Sequence, residues 1–355
     1  MRILACPDKF RGTCTALEAA AAVARGARHG GSVATVVPLA DGGEGTLECL
    51  AAVGGVLRRT TVSGPLGDPV EAQWLSWGTQ AFIEMAQASG LVLVGGPEGN
   101  DALGASTYGT GELIAAAMGW GARTVTVTLG GSATTDGGFG ALRALEPLAR
   151  LTGIRLVAAC DVATTFVDAA AVFGPQKGAS PAEVGLLRRR LERLADLYRR
   201  EYGVDVTDVA GSGAAGGLAG ALVAVGAELR SGFALVADMV NLAERIDEAD
   251  LIVTGEGFLD HESFHGKVVG GVCELAVAAG KPVLVVVGQV LDGLAAPGAL
   301  PLPGGARVEV VSLVERFGAD RSCTDTAACI EEVVRDRVGG WHSGPQTAND
   351  GSPSV

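Results

Sequence analysis

Two uninterrupted apolar runs constrain the fold of this chain more than any other feature. Residues 249–254 (ADLIVT) and 282–287 (PVLVVV) have the length of strands and carry almost no polar side chains. Such runs are typical of strands that are buried on both faces of a parallel sheet. Residues 264–279 lie between them and fit the crossover helix that a parallel pair requires. The pattern therefore predicts an α/β fold.

The N-terminus repeats the strand-helix-strand pattern. Residues 2–6 predict a strand, a helix follows to about His29, and residues 32–38 predict a second strand. Thr15 and Glu18 have the spacing of a capping box at the start of that helix. Because the pattern occurs at both ends of the chain, we expect a doubly wound, Rossmann-like domain that is discontinuous in sequence. It is predicted to comprise residues 1–55 and 235–338.

The segment between these two parts has a different pattern. Residues 56–62, 70–77 and 80–85 are short strand-like runs, and no long helical pattern separates them. Antiparallel pairing is therefore expected. We predict that residues 56–234 form an inserted, mixed α/β domain. The polar, turn-rich tail at residues 339–355 is expected to be disordered.

Composition argues against several classes of function. The net charge of −13 disfavours nucleic acid and anionic membrane surfaces as partners. The cysteines form no CxxC pair, which disfavours a thiolate zinc site or a disulfide framework. Residues 209–227 are uncharged and long enough to cross a membrane, but their glycines favour a buried loop and helix. No secretory signal is recognisable, so we expect a cytoplasmic protein.

Glycine-rich, acidic loops carry the candidate chemistry. Glycine lets backbone N–H groups approach a phosphate, lysine supplies a cation, and carboxylates hold Mg²⁺ or accept a hydroxyl proton. Lysine is scarce in this chain, yet Lys9, Lys177 and Lys267 all fall in such loops. The combination indicates phosphoryl transfer. We expect the loops to follow parallel strands and to face a ligand; they span residues 7–13, 41–46, 130–138, 173–178, 211–217 and 254–267.

Other interpretations of single motifs are weaker. The P-loop pattern GxxxxGK[ST] is absent, and the GxGxxG match at residues 211–216 follows no convincing strand. No GxSxG nucleophile elbow is present. His261 and His265 have the spacing of one metal-binding helix face, but local hydrogen bonding is the favoured alternative. Any single acid in the loops could instead cap a helix or brace a turn.

Several segments together resemble the type I family of bacterial glycerate kinases. They follow the family order from residue 1 to about residue 290. They are ACPDKFRGT (5–13), PLADGGEGT (38–46), AFIEMAQASGL (81–91), STYGTGELI (106–114), LGGSATTDGG (129–138), ACDV (159–162), VFGPQKGA (172–179), GSGAAGGLAGAL (211–222), ADLIVTGEGFLD (249–260) and HGK (265–267). The resemblance implies a two-domain α/β kinase that uses ATP and Mg²⁺ to phosphorylate a hydroxyl of D-glycerate. The implied product is 2-phosphoglycerate, with 3-phosphoglycerate as the alternative.

Motif position within this resemblance suggests roles for individual residues. Asp41 is the expected base for the hydroxyl proton, and Asp8 is the second candidate. Lys177 and Lys267 are expected to neutralise phosphoryl charge. The substrate contacts are Lys9 and Arg11 on the carboxylate, with Glu44 and Asp260 as further contacts. The phosphate cradle is assigned to Gly130, Gly131, Ser132, Gly213, Gly216 and Gly217. The expected Mg²⁺ ligands are Asp136, Asp161 and Glu256.

The sequence also departs from the family pattern at a few positions. Phe258 stands where the family usually has arginine, Glu262-Ser263 replaces a Gln-Thr pair, and residues 163–168 are remodelled. Losing an arginine removes a bidentate partner for a carboxylate. Two alternatives follow, namely a kinase of the same fold for another small hydroxy acid or polyol, and a silent nucleotide-binding homologue. Glycerate and ATP are the expected partners, and self-association into a homo-oligomer stays open.

Overall fold

The computed structural model describes residues 1–10, 12–291, 302 and 307–341. The strands are β1 (Arg2–Ala5), β2 (Val33–Val36), β3 (Val56–Ser63), β4 (Pro69–Trp77), β5 (Gln80–Glu84), β6 (Thr124–Thr128), β7 (Arg155–Ala159), β8 (Glu228–Arg230), β9 (Leu251–Leu259), β10 (Val283–Val290) and β11 (Val308–Ser312). The helices are α1 (Ala16–His29), α2 (Thr46–Ala52), α3 (Ala86–Ser89), α4 (Tyr108–Trp120), α5 (Phe139–Ala144), α6 (Ala169–Phe173), α7 (Pro181–Tyr202), α8 (Ala214–Ala224), α9 (Gly232–Met239), α10 (Leu242–Glu248), α11 (Val268–Ala278), α12 (Leu313–Phe317), α13 (Ala319–Thr324) and α14 (Thr326–Trp341).

The chain divides into two units, and the first is discontinuous in sequence. Unit 1 comprises residues 1–38 and 242–355, and unit 2 comprises residues 39–241. The sheet of unit 1 has the strand order β11-β10-β9-β1-β2, and all its pairs are parallel. This arrangement places β9 and β10, the two apolar runs, beside each other inside the sheet. The parallel interpretation of those runs is therefore confirmed.

Helices cover both faces of the unit 1 sheet. Ile3 and Val253 point into a core that also contains side chains of α1 and α14. Their neighbours Leu4 and Ile252 are equally buried and point to the opposite face, where α11 packs against β9 and β10. Helix α1 begins with the predicted capping box, in which the Thr15 hydroxyl accepts the backbone N–H of Glu18. Such a cap contributes about 1 kcal/mol to stability.

Unit 2 contains the predicted mixed sheet. Its strand order is β3-β4-β5-β6-β7-β8. The first two pairs are antiparallel, and the pairs from β5 to β8 are parallel. Helices α4, α5 and α8 contribute to the core beside this sheet, whereas α6 and α7 form a second cluster around Phe166 and Tyr198.

The boundaries between the units differ from the predicted ones. The prediction placed residues 39–55 and 235–241 in the Rossmann-like domain, but both segments belong to unit 2. Helix α2 explains the first shift, because it packs on β4 and β5 and its Leu47 N–H donates to the Glu84 carboxylate at 2.9 Å. The hydrophobic pattern of the sequence does not reveal such a contact between distant residues.

The predicted tail falls largely on residues 342–355, which lie outside the described part of the chain. Helix α14 continues to Trp341, three residues beyond residue 338, where the Rossmann-like domain was predicted to end. The uncharged stretch at residues 209–227 contains a turn and α8. Within the described residues, no helix is both long and apolar enough to span a membrane.

Candidate functional site

One group of charged side chains lies where β1 and β9 end in unit 1. After β1 the backbone stays beside β9, because Cys6 N–H donates to Val253 and Asp8 N–H donates to Gly255. This pairing holds Asp8 almost fully buried, and one of its carboxylate oxygens accepts the N–H of Lys9 at 2.7 Å. Asp8 and Lys9 therefore have fixed positions at the carboxyl edge of the sheet. Arg11, the third predicted side chain here, lies outside the described residues.

Among the carboxyl groups at this edge of the sheet, Glu256 has a clearly shifted pKa. It lies within β9, which continues to Leu259, so the predicted loop is a strand at this point. Its Oε1 atom is buried and has no hydrogen-bond partner. Burial raises the pKa of Glu256 to about 7; the Ser263 hydroxyl lowers it, Asp8 raises it, and Lys267 lowers it. A carboxyl group with this pKa exists in both protonation states near neutral pH.

Asp260 and Lys267 complete the group from the segment between β9 and α11. The Asp260 carboxylate accepts the N–H and the hydroxyl of Ser263, at 3.0 and 3.2 Å, and so caps a short 3-10 turn. Lys267 is the N-cap residue of α11. Both side chains are close enough to Glu256 to act on its pKa. The structure thus brings together four predicted residues, Asp8, Glu256, Asp260 and Lys267.

A second group lies in unit 2, where the 41–46 loop meets two other segments. The Asp41 carboxylate accepts the N–H of Gly43 at 3.1 Å, which folds the loop into a tight turn. Glycine is needed where these segments touch. A Cβ on Gly42 would lie 2.8 Å from the Cα of Gly232, and one on Gly130 would lie 3.0 Å from the Cα of Gly43. Asp41 and Gly130 therefore lie in neighbouring segments, while Glu44 is exposed on the same loop.

Asp161 fixes the same corner of unit 2 from the end of β7. Its two carboxylate oxygens accept the N–H of Gly232, at 3.0 and 3.2 Å, at the start of α9. A Cβ on Gly232 would collide with the carbonyl oxygen of Asp41. Asp161 thereby anchors the backbone that packs against Asp41.

Asp136 is surrounded by hydrogen-bond donors. Its carboxylate accepts the N–H and the hydroxyl of Thr107, both at 2.8 Å, and the N–H groups of Gly138 and Gly140, at 3.1 and 3.2 Å. The side chain is only 9% exposed. Four donors satisfy both oxygens, so these contacts are those of a carboxylate that braces a loop.

Lys177 is buried behind the same loop. It is 2% exposed, and its ammonium group donates to the carbonyl oxygen of Thr134 at 2.7 Å. Burial lowers the pKa of Lys177 to about 7, and the nearby Asp136 carboxylate opposes that shift. Asn100 adds to the brace by donating to the carbonyl oxygens of Ala133 and Lys177. These contacts favour a positioning role for Lys177 over direct contact with a phosphoryl group.

The glycines of residues 211–217 serve internal packing. A Cβ on Gly213 would collide with the Thr165 carbonyl oxygen, and one on Gly216 would collide with the Thr134 carbonyl oxygen. A Cβ on Gly217 would lie 2.8 Å from the Cα of Gly137. Protein atoms fill the space that these missing side chains leave. Gly131, by contrast, is exposed, and Gly130 and Ser132 lie beside it.

Comparisons with known proteins agree on one family. The model of the "Glycerate kinase family" matches residues 3–148 and 145–327. The chain belongs to the glycerate kinase family. It is 40% identical over 331 residues to glycerate 2-kinase of Escherichia coli K12, covering 82% of this chain and 86% of that protein. It is 37% identical over 352 residues to glycerate kinase of Bacillus subtilis 168, covering 85% and 92%.

A solved structure supports the fold of this glycerate kinase family member. It is the crystal structure of a protein provisionally named glycerate kinase 2, from Salmonella typhimurium LT2. The TM-score is 0.82 at 35% identity, and the similarity covers 98% of this chain and 99% of that one. The resemblance inferred from the motifs and the predicted α/β fold class are thereby confirmed, and the chain is that of a kinase-family enzyme.

The structure corrects two expectations about the loops. Residues 173–178 follow helix α6, and residues 211–217 follow a turn, so neither loop extends from the end of a strand. The local hydrogen-bonding alternative describes His265 well, because one of its ring nitrogens lies 2.9 Å from the carbonyl oxygen of His261. Outside these loops, Lys281 donates to the carbonyl oxygens of Asp247 and Ala249 at the C-terminal end of α10, as a C-terminal cation does.

Sequence reasoning missed several residues that shape the site. Glu84 is buried and accepts the Leu47 N–H at the start of α2, while Thr107 supplies two of the donors to Asp136. Both lie in segments that carry the family resemblance. The resemblance pointed to these segments but did not single out Glu84 or Thr107. Asn100 has no such signal.

Proposed function

We propose that this protein is an ATP-dependent kinase that phosphorylates a hydroxyl of D-glycerate to give 2-phosphoglycerate. The alternative product is 3-phosphoglycerate, and the proposed location is the cytoplasm. The gathering of Asp8, Glu256, Asp260 and Lys267 at the carboxyl edge of the unit 1 sheet carries this proposal. Substrates bind at this edge in open α/β sheets. Membership of the glycerate kinase family supplies the substrate class.

Each proposed role follows from the chemistry of the side chain. The substrate hydroxyl oxygen attacks the γ-phosphorus, the bond to the ADP oxygen breaks, and the hydroxyl proton passes to a carboxylate. Asp41 is our first candidate for that carboxylate, and Asp8 is the second. Lys267 would neutralise charge on the transferred phosphoryl group. Lys9 and Arg11 would bind the glycerate carboxylate, with Glu44 and Asp260 as further substrate contacts.

The residues present fit Mg²⁺ that arrives with a nucleotide. Among the described residues, no group of three or more Asp, Glu, His or Cys is arranged to hold a metal ion by itself. Mg²⁺ is commonly held by one or two carboxylates together with substrate phosphates, where it offsets phosphate charge. The unpartnered oxygen of Glu256 fits that need best. Asp161 is the second candidate, and Asp136 is the least suited because its carboxylate already accepts four hydrogen bonds.

Steady-state kinetics with ATP, Mg²⁺ and D-glycerate test this proposal. Asp41→Asn and Lys267→Met should each lower kcat by about 10²-fold or more, because each removes a contact made in the transition state. Asp68→Asn and Lys281→Met make the same charge changes elsewhere and should retain turnover. Phosphorus NMR identifies the product. Near-wild-type turnover of the first two variants would remove those assignments, and wild-type protein without turnover would defeat the proposed activity.

A second candidate function rests on Phe258. This side chain is 52% exposed at a position where the family usually has arginine. An exposed ring in place of a guanidinium favours an acceptor that is less anionic there, such as another small hydroxy acid or a polyol. A panel of acceptors in an ADP-release assay separates the two. Glycerate as the best substrate would reject this candidate, and ADP binding without turnover on any acceptor would indicate a silent homologue.

A further inference from the structure

Unit 2 contains a cavity to which the roles above assign no substrate. Its volume is about 390 Å³, within the range of small-molecule sites. Residues 103–106, Tyr108 and Asp136 line it, together with parts of α5 and α7. The side chains that matter here are Ser106, Tyr108, Asp136, Phe139, Arg143 and Arg190. The cavity therefore combines cationic, hydroxyl and aromatic groups.

Two arginines give the cavity a positive side. One guanidinium nitrogen of Arg190 donates to the Leu103 carbonyl oxygen at 2.8 Å, which holds this side chain in place. Arg143 is exposed, and within the described residues its guanidinium group has neither a hydrogen bond nor an ion pair. The Asp136 carboxylate also lines the cavity, but four protein donors already stabilise its charge. Two guanidinium groups with remaining donors suit a phosphate-bearing ligand.

Two aromatic rings give the cavity an apolar side. Tyr108 and Phe139 are each 40% exposed, although rings of this size are mostly buried in a folded domain. Both line the cavity. An exposed ring beside a cation is a favourable surface for a planar heterocycle that carries negative charge on a flexible chain.

The position of the cavity in the sequence is also informative. Ser106 and Tyr108 belong to the segment STYGTGELI, and Asp136 belongs to LGGSATTDGG. Two of the segments that carry the family resemblance thus meet at one open space. The glycines of residues 211–217 were expected to bind phosphates, but protein atoms occupy the space beside Gly213, Gly216 and Gly217.

We propose that this cavity binds the nucleoside polyphosphate used by the kinase. Its base lies against Tyr108 and Phe139, and its α- and β-phosphates contact Arg143 and Arg190. This inference rests on the proposed use of a nucleotide as phosphoryl donor. It assigns the nucleotide to unit 2 and to residues outside the glycine-rich loop at residues 211–217.

Calorimetric titration of the full chain with ADP and Mg²⁺ tests the site directly. Arg143→Met should weaken ADP binding by about 10-fold or more, since it removes a charge-assisted contact to phosphate. Arg189→Met is the matched control, because it removes the same charge from an exposed side chain that does not line the cavity. It should change the affinity by less than about 2-fold.

Two further probes separate the halves of the ligand. Tyr108→Ala should weaken the binding of ADP and adenosine but leave pyrophosphate binding unchanged. Arg143→Met should weaken ADP and pyrophosphate but spare adenosine. Equal affinity of Arg143→Met and Arg189→Met for ADP would overturn the inference, as would wild-type protein that binds no ADP. Wild-type protein that binds ADP but phosphorylates no acceptor would defeat the proposed activity alone, because the titrations still locate the nucleotide.

Discussion

Glu256 in unit 1 and Asp136 in unit 2 are both poorly exposed carboxyl groups, and their surroundings differ in one respect. Asp136 accepts four hydrogen bonds, three of them from backbone N–H groups. Glu256 keeps a buried oxygen without a partner, and burial raises its pKa to about 7. Both were predicted from sequence as ligands of the same metal ion. Their hydrogen bonds assign them different tasks.

The burial of a carboxyl group does not by itself identify the role of that group. A carboxylate whose donors are all in place stabilises the loop that supplies them, and its removal leaves those donors unpaired. A buried carboxyl oxygen without a donor costs folding energy, so its retention points to a task in chemistry. We therefore expect substitutions at Asp136 to act on stability and substitutions at Glu256 to act on turnover.

The largest expected effect is that of Asp136→Ala. It should lower the free energy of unfolding by about 4 kcal/mol, because it leaves several buried donors without an acceptor. Urea unfolding followed by tryptophan fluorescence measures this, since tryptophans 74, 77 and 120 lie in unit 2. Asp101→Ala is the control; its exposed carboxylate accepts two backbone N–H groups, and its loss should cost about 1 kcal/mol. Equal effects of the two substitutions would break the comparison.

The next effect is that of Glu256→Gln, which should lower kcat about 10²-fold and leave stability at pH 8 equal or higher. The sign follows from the raised pKa. Between about pH 4.5 and 7 the native state binds more protons at Glu256 than the unfolded chain does, so stability falls as pH rises. At pH 8 the wild-type protein bears the full cost of burying an ionised carboxylate at Glu256. The Glu256→Gln variant has a neutral amide there and does not bear this cost.

Kinetics and urea unfolding at pH 6 and pH 8 check the expectation for Glu256. Glu248→Gln, at an exposed position, should match the wild-type protein in both measurements. An active Glu256→Gln variant, or one as unstable as Asp136→Ala, would contradict the assignment of a chemical task.

The smallest effect concerns Lys177, whose pKa burial lowers to about 7. Between pH 7 and about 10 the unfolded chain binds one more proton at this position than the native state does. The wild-type protein should therefore gain up to about 1.4 kcal/mol of stability per pH unit relative to Lys177→Met. Urea unfolding at pH 7.5 and 9 measures the difference in slope. Lys281→Met retains Lys177 and should show the same change of stability with pH as the wild-type protein. If Lys177→Met also shows the wild-type change, the pKa of Lys177 is not lowered by burial.

The sequence was sufficient for most of the fold because the relevant signals are local. The capping box at Thr15 and Glu18 was found where the structure has it, and the two apolar strands begin within two residues of their predicted starts. The unit boundaries differ from the predicted domain boundaries, because they depend on contacts between distant residues, such as Leu47 with Glu84. Hydrophobic periodicity contains no information on such pairs.

The candidate site was predictable only at the level of segments. Motif order identified the loops that hold Asp8, Asp136 and Glu256, but not which carboxylates have donors. Two donors to Asp136 come from Thr107, 29 residues earlier in the chain. The packing role of Gly213 and Gly216 was equally hidden, since a glycine beside a phosphate and a glycine beside a carbonyl oxygen have the same letter in the sequence.

The strand order of unit 1 also has a consequence for how the protein is made. Strand β1 lies between β2 and β9, so its second neighbour emerges from the ribosome only after residues 39–241 have been synthesised. At about 5–20 residues per second, synthesis of this segment takes roughly 10–40 s. Unit 2 is contiguous and can acquire its native contacts during that interval, whereas the nascent N-terminal strand and helix must wait with their apolar faces uncovered. Unit 1 is thus the last part of the newborn chain to reach its native state.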